Sequence, residues 1–325
     1  MADVITARGY RLVYFEYPPI TLKDMLGAGL NVTHRRLEYI FPRVNWKQNP
    51  VLVPQTAVLP MARRSQVIRQ WNRWQLNLWF RRNIRRCGMS PLRPRVAIVT
   101  SPWWRQFLRQ EDFDVLCYDL IDDPLVFSGP ALYPDFLKWE TQFLSESHII
   151  SYSADALSVT AARNPRARHL SLPNAVNAEL FRSRAREQTE PDDLKAIPHP
   201  RIGFLGAVFH WLDLELVARA ARSLPDFSFV FVGPLEKEGL IDQLLQLPNF
   251  HFLGPKPFER VPAYISGFDV CLCPFQTDRV GQAVDPLKIY EYFALGKPVV
   301  ATRIRELAKL QPMTYIVDDT DGFVR

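Results

Sequence analysis

The sequence predicts an α/β protein built from two doubly wound, parallel-sheet domains. Three observations lead there. From residue 201 onward, short apolar runs that end in Gly or Pro alternate with amphipathic stretches, the pattern of strands and helices in a sheet covered on both faces. The same alternation recurs less regularly before residue 175. The length, 325 residues, exceeds the roughly 250 to 300 at which single cores stop growing.

Taken in order, RLVYFEY, RVAIVTS, FDVLCYDL, SHIISYS and RHLSLP read as strands of the first half, with helices at 65–86, 131–145 and 153–162. RSRAREQTEPDDLKAIPHP, residues 182–200, is polar and contains prolines, and reads as the connection. RIGFLG, SFVFVGP, NFHFLG, DVCLCPF and KPVVAT follow as strands, separated by helical LDLELVARAARSL and KEGLIDQLLQL. The expected domains are 1–186, a linker at 187–200, and 201–325. Residues 2–8 resemble the first helix of such a domain, so an opening strand and its Gly-rich turn are expected before Met1, and a further helix after DDTDGFVR.

Composition is that of an ordinary globular protein, with 47% hydrophobic and 23% charged residues, which excludes a disordered chain. No run approaches the roughly 18 apolar residues of a spanning helix, and no signal-type leader follows Met1, so a cytoplasmic location is expected. The four cysteines do not form a disulfide framework. Cys271 and Cys273 alternate along one strand and read as core thiols. The net charge of +6 is uneven: residues 1–194 carry a surplus of seven positive charges and residues 195–325 one negative.

DPLKIYEYFALGKPVVAT, residues 285–302, asks for the closest reading. Asp285 suits an N-cap, Pro286 the first helical position, and Gly296 followed by Pro298 a left-handed stop, giving a helix of about ten residues. Following the strand DVCLCPF, its N-terminus falls at the carboxyl edge of the sheet, where open α/β sheets bind ligands. Lys288 in the first turn opposes the helix dipole unless an anion lies between them, and Glu291, at i+3, is placed to accept hydrogen bonds from a vicinal diol. Diphosphate on the lysine and ribose on the glutamate make a nucleotide-sugar site. Spacing alone equally allows a solvated i,i+3 pair worth about 0.2 to 0.5 kcal/mol.

Glu291-Tyr-Phe-Ala-Leu-Gly296-Lys-Pro298-Val-Val resembles the E-A-x-A-x-G-x-P-V-V signature of the two-Rossmann-domain (GT-B) glycosyltransferases, especially the retaining glycosyltransferase family 4. The DPLKIYEYFA form resembles bacterial envelope polysaccharide and teichuronic-acid-type transferases. RIGFLGAVFHW is similar to the first strand and phosphate loop of the donor domain, FVFVGP to the strand before the nucleotide crevice, and LSLPNAVNAELF to the segment closing the acceptor domain. The resemblance spans about residues 95–318. It implies two Rossmann-like domains facing across a cleft, Glu291 on the donor ribose, Lys288 and the Gly206 backbone on the diphosphate, and Gly233, Pro257 and Phe258 around the nucleotide. The donor, UDP- or GDP-linked, is a co-substrate; no cofactor and no metal are implied.

Several positions depart from the family pattern. Ala283 stands where a second glutamate is common, and GAVFHWLD offers only His210 where a basic residue is usual. Ala175 and Asn177 replace a Gly and an Asp. In the first half, Asp122 stands at the place of a common His, with Asp123 beside it; the pair reads either as base or sugar-hydroxyl acceptor, or as a helix cap with a solvated neighbour. MARRSQVIRQWNRWQLNLWFRRNIRRCGMSPLRPR, residues 61–95, holds ten Arg, three Trp and no acid. It reads as an anionic-membrane contact, as a nucleic-acid surface, the weakest of the three, or as an ordinary helix with Val67, Ile68, Trp71, Trp74 and Leu78 in the core.

The expected function is transfer of a sugar from a nucleotide-sugar to a hydroxyl of a glycan or lipid-linked acceptor, in envelope polysaccharide synthesis. Two alternatives remain: a nucleotide-sugar 2-epimerase of the same architecture, and a non-catalytic membrane or nucleic-acid adaptor using residues 61–95. A redox Rossmann enzyme is disfavoured, because no G-x-G-x-x-G follows any strand.

Overall fold

The computed structural model describes residues 2–15, 20–21, 44–45, 47–53, 57–59, 65–88, 93–108, 110–123 and 133–324. Glu16 and Tyr17 of the first expected strand, residues 61–64 and 89–92 of the basic stretch, and residues 131–132 of an expected helix lie outside them. The chain divides into two compact units, Met1–Val96 with Gln106–Val115, and Ala97–Arg105 with Leu116–Arg325.

In the first unit, α1 (Ala2–Ala7) precedes β1 (Val13–Phe15), which pairs in parallel with β3 (Val51–Val53), while β2 (Ile20–Thr21) pairs with β4 (Ala57–Val58). The long helix α2 (Gln66–Arg86) follows. Ser65 caps it, its hydroxyl accepting from the Ile68 N–H. The core reading of its tryptophan face is overturned. Helix α2 buries Asn72, Leu76, Phe80 and Asn83, and Val67, Trp71, Trp74 and Leu78 are exposed. The buried polar groups are satisfied, which is why they can be buried at all. Asn72 pairs both ways with the backbone of Leu59, and Asn83 donates to the Trp79 carbonyl. Arg81 is engaged with Asp112 at 2.5 Å.

A four-stranded parallel sheet runs β5 (Val96–Val99), β6 (Val115–Leu120), β7 (Ile149–Tyr152), β8 (Arg168–Ser171) in spatial as well as chain order. Helices α3 (Tyr133–Glu146) and α4 (Ser158–Ala161) connect its strands, and α5 (Ala178–Glu187) and α6 (Asp192–Lys195) lead away from it. Asn177 caps α5 by accepting from Leu180 N–H, a task an Asp would do equally well. The expected polar connection at 182–200 is instead packed. Helix α5 runs through its start, and Leu194 and Ile197 are buried in the hydrophobic core of the six-stranded sheet. Their spacing of three residues lets both reach one apolar surface.

That sheet comprises β9 (Arg201–Leu205), β10 (Ser228–Val232), β11 (Phe250–Phe252), β12 (Val270–Cys273), β13 (Val299–Thr302) and β14 (Thr314–Val317), all parallel. Between them lie α7 (Leu214–Ser223), α8 (Asp242–Leu245), α9 (Val261–Ser266), α10 (Arg279–Gln282), α11 (Leu287–Ala294) and α12 (Arg305–Ala308), and α13 (Thr320–Val324) follows β14. Strands β9 and β10 are buried throughout, as strands covered on both faces must be. Cys271 and Cys273 are free, buried core thiols, and burial pushes both upward, Cys273 to about 11. Spatial order is β11-β10-β9-β12-β13-β14. The chain therefore steps outward from β9 in one direction, returns, and steps outward from β12 in the other, leaving a topological switch point between β9 and β12.

Asp213 caps α7, its carboxylate accepting from Leu216 N–H at 2.9 Å. Asp213→Ala should cost about 1 kcal/mol, read as a lower denaturant midpoint with an unchanged slope.

Candidate functional site

Helix α11 is the element the sequence singled out, and both its ends differ in detail from expectation. Pro286, not Asp285, occupies the N-cap position, without a side-chain cap. Asp285 is 4% exposed and its carboxylate is committed elsewhere. It accepts from Asn174 N–H at 2.6 Å and from the Tyr290 hydroxyl at 3.0 Å, while Asn174 Nδ2 donates to the Asp285 carbonyl at 2.7 Å. Asn174 belongs to the LPNAVN segment, so this reciprocal clamp ties that segment to the start of the helix. The other end closes as expected. Gly296 has φ +67°, and the N–H groups of Gly296 and Lys297 reach the carbonyls of Phe293 and Tyr292, a Schellman stop. The helix is eight residues long.

Its buried side is Ile289, Glu291, Tyr292 and Ala294, and Leu287 is exposed. Tyr292 anchors the helix to β9, its hydroxyl oxygen accepting from Leu205 N–H at 2.9 Å. This sets Lys288 and Glu291 beside the carboxyl ends of β9 and β12, at the switch point. The Lys288 ammonium lies 4.9 Å from the Phe204 ring centroid and 4.7 Å from that of Phe275, a two-sided cation–π cradle. Phe204 is the penultimate residue of β9 and Phe275 follows β12, so the two strands flanking the switch point supply one ring each. Burial pushes the Lys288 ammonium below the usual lysine range, with Cys273 and Glu291 opposing. Burial pushes the Glu291 carboxyl up to about 7, and Lys288 only partly offsets it.

Glu291 is 8% exposed. Among the described residues neither it nor Lys288 makes a hydrogen bond or ion pair. Neither the carboxylate nor the ammonium is sealed from solvent, so both are open to a ligand at the switch point.

Gly206 and Gly233 lie alongside. Gly206 has φ +145° and a Cβ there would come within 2.7 Å of Lys288 Cε; Gly233 has φ +147° and its Cβ would meet the Gly206 carbonyl oxygen at 1.9 Å. Both positions thus need glycine for conformation and for space. The Gly206 N–H, expected to face a ligand, is engaged with the Val232 carbonyl at 2.9 Å, and Gly233 N–H with that of Gly254 at 3.0 Å. The neighbouring Ala207 N–H makes no hydrogen bond among the described residues, so the loop's available donor is one residue further on than expected.

The remaining predicted residues stand apart. His210 is paired with Glu236, which accepts its backbone N–H at 2.9 Å and approaches Nδ1 at 2.9 Å; these bonds hold the Glu236 carboxyl below its usual range. Pro257 precedes a short turn, and Phe258 docks edge-on against Phe181 at 5.9 Å with the Arg184 guanidinium 5.6 Å over its ring. Asp122 and Asp123 follow β6. Burial and the neighbouring Asp123 push the Asp122 carboxyl up. Asp123 also raises Glu140, which is 2% exposed and driven to about 7 chiefly by burial, Arg163 opposing. Two surface hollows of about 700 and 950 Å³ lie along β14 and contain no predicted site residue.

The signal that would have found Phe204 and Phe275 was in the sequence. Each lies near the carboxyl end of a strand run, in RIGFLG and DVCLCPF. Only the strand order shows that those two runs are neighbours.

Residues 199–325 match the family model described as "Glycosyl transferases group 1". Over 151 residues, 46% of this chain, the sequence is 34% identical to a Bacillus subtilis (strain 168) protein named as a teichuronic acid biosynthesis glycosyltransferase, TuaH. The chain spans 38% of the length of that relative. Among solved structures, a UDP-forming α,α-trehalose-phosphate synthase of Burkholderia xenovorans aligns at TM-score 0.63 and 12% identity, over 97% of this chain and 90% of the other. A sucrose-phosphate synthase of Thermosynechococcus elongatus aligns at TM-score 0.66 and 14% identity, over 99% and 80%. At such identities the likeness establishes the fold, which is that of the two-Rossmann-domain glycosyltransferases, as the sequence predicted.

Proposed function

We propose, from a C-terminal region that matches the group 1 glycosyl transferases, that this chain moves a sugar from a nucleotide-sugar donor to a hydroxyl of a glycan or lipid-linked acceptor. The setting is envelope polysaccharide synthesis, and the donor is UDP- or GDP-linked. One observation carries the reading: Lys288 and Glu291 stand near one another at the switch point, and among the described residues neither side chain has a hydrogen-bond or ion-pair partner. An ammonium and a carboxylate there match a diphosphate and a ribose diol.

In this reading Lys288, the Ala207 N–H and the start of α11 hold the diphosphate, and Glu291 accepts from the ribose hydroxyls. Gly206 and Gly233 keep side chains out of the space the phosphates need. The acceptor oxygen forms a bond to the anomeric carbon as the bond from that carbon to the phosphate oxygen breaks, and the electron pair leaves with the diphosphate. Lys288 stabilises the charge that develops there. Retention of configuration follows from the family resemblance, with the donor's own phosphate oxygen taking the acceptor proton. Asp122 and Asp123 belong to the acceptor side, and His210, Pro257 and Phe258 to the rim of the donor site. No cofactor, metal or nucleic acid enters the proposal. Contact of residues 61–95 with anionic membrane belongs to the same reading, because it would bring the enzyme to a lipid-linked acceptor.

A thermal-shift panel of UDP, GDP, ADP and TDP at about 1 mM tests the donor site, since a ligand bound only by the folded state raises its melting point. One nucleotide should stabilise the wild type and leave Glu291→Ala unmoved. Stabilisation by none of the four would remove the donor site and the proposal with it.

A further inference from the structure

We infer that the solvent face of α2 is a docking surface for an anionic lipid bilayer. Val67, Trp71, Trp74 and Leu78 are 76%, 51%, 55% and 52% exposed. At about 100° per residue these four fall within an arc of roughly 60°, and the buried set Asn72, Leu76, Phe80 and Asn83 is centred on the opposite side. The helix therefore has two separate faces. One is held in the fold by Leu76 and Phe80, with Asn72 tied to the Leu59 backbone. The other is a stripe of two tryptophans and two aliphatic side chains that the described fold leaves open. The Trp71 and Trp74 rings lie against each other at 5.0 Å, which makes them one continuous apolar patch.

The charge around the stripe selects the occupant. Helix α2 contains no acidic residue, and Arg85 falls on the same arc, two turns beyond Leu78, with Arg82 beside it. Both are exposed. Tryptophan above and arginine at the margin match the two layers of a bilayer surface, acyl chains below and anionic headgroups around them. A second copy of the chain fits worse. The 67, 71, 74, 78 spacing is that of a coiled-coil seam, but continued in a parallel pair it would set Arg85 against its own image. Stacking on nucleobases fits worse as well, because the two indoles are tilted by 40° onto one another and do not present two free faces. No described helix is long and apolar enough to cross a membrane, so α2 would lie in the surface plane.

This inference deepens the membrane contact named in the proposed function, and because it is read from the helix face, vesicle binding and nucleotide stabilisation can fail separately. Flotation with vesicles of phosphatidylcholine alone, or with about one third phosphatidylglycerol, at roughly 0.15 M salt tests it. Wild type should float with the anionic vesicles and stay behind with the neutral ones. Trp71→Ser with Trp74→Ser, and separately Arg82→Glu with Arg85→Glu, should each weaken binding by roughly tenfold or more. All four positions are exposed, so melting temperatures should match the wild type, and nucleotide stabilisation should persist in both variants. A wild type that ignores anionic vesicles would overturn the inference, as would variants that float like it. Preferential retention of a uridine homopolymer, or self-association that the tryptophan variant abolishes, would assign the face to one of the other occupants instead.

Discussion

Replacing Lys288 by methionine should lower kcat of the proposed transfer by about 10²- to 10³-fold, the usual cost of removing one preorganised donor from a developing negative charge. The unliganded protein should melt at the same temperature or slightly higher. The ammonium lies between the Phe204 and Phe275 rings, and burial already disfavours its charged form. Methionine occupies a similar length of the same slot and makes its own favourable sulfur–aromatic contacts of about 0.3 to 1.5 kcal/mol. The rings themselves are positioning residues. Phe275→Leu should leave Lys288 charged but less well aimed, with a smaller loss in kcat and little change in KM. Steady-state assays of nucleotide release, read beside melting curves, check both. A Lys288→Met enzyme of undiminished kcat would remove this lysine from the leaving group.

Glu291→Gln should make the unliganded protein more stable at pH 8 while abolishing stabilisation by nucleotide. Burial holds the folded-state carboxyl at about 7 against the ordinary glutamate value of 4.5. A raised folded pKa means that the stability contributed by the protonated form is full below the unfolded value and is lost as pH rises through 7. At pH 8 the wild type has lost about 3 kcal/mol through this one group. The amide does not ionise, so the variant should gain up to that amount at pH 8 and nothing near pH 4. Glu140, also about 7 and buried, titrates in the same direction in both proteins, so the variant should keep part of the slope. Urea unfolding across pH 4 to 8 measures the difference. Identical slopes in wild type and variant would mean that Glu291 titrates as a solvated glutamate, and the donor site would then lose its ribose ligand.

The legible parts of the site were those that depend on neighbours in sequence. Lys288 and Glu291 are three residues apart on one helix, and helical geometry alone puts them on one side. Gly296 and Pro298 mark the stop because their backbone restrictions are local. Asp285 was misread because a good N-cap residue was assumed to act on its own helix, whereas a partner 111 residues away, Asn174, outcompetes that role. Gly206 was identified as a close-approach position, yet the hydrogen bond of its N–H to Val232 could not be read without the pairing of β9 with β10. The sequence left the tryptophan face of α2 open between core and contact surface because amphipathicity shows only that a helix has distinct sides. It does not show which side is buried when both carry apolar residues.

By itself, then, the sequence determined the class of fold, the strands of the four-stranded sheet, five of the six strands of the larger one, and the residues of α11 that bear charge. These follow from periodicity, propensity and capping, which act over one or two turns of chain. Tertiary structure alone decided the strand order that makes β9 and β12 neighbours, the aromatic cradle those two strands build around Lys288, the clamp between Asn174 and Asp285, and the outward face of α2. Each joins residues far apart in the chain. What selects among such contacts is the balance of burial and hydrogen-bond satisfaction over the whole fold, and no local window contains it.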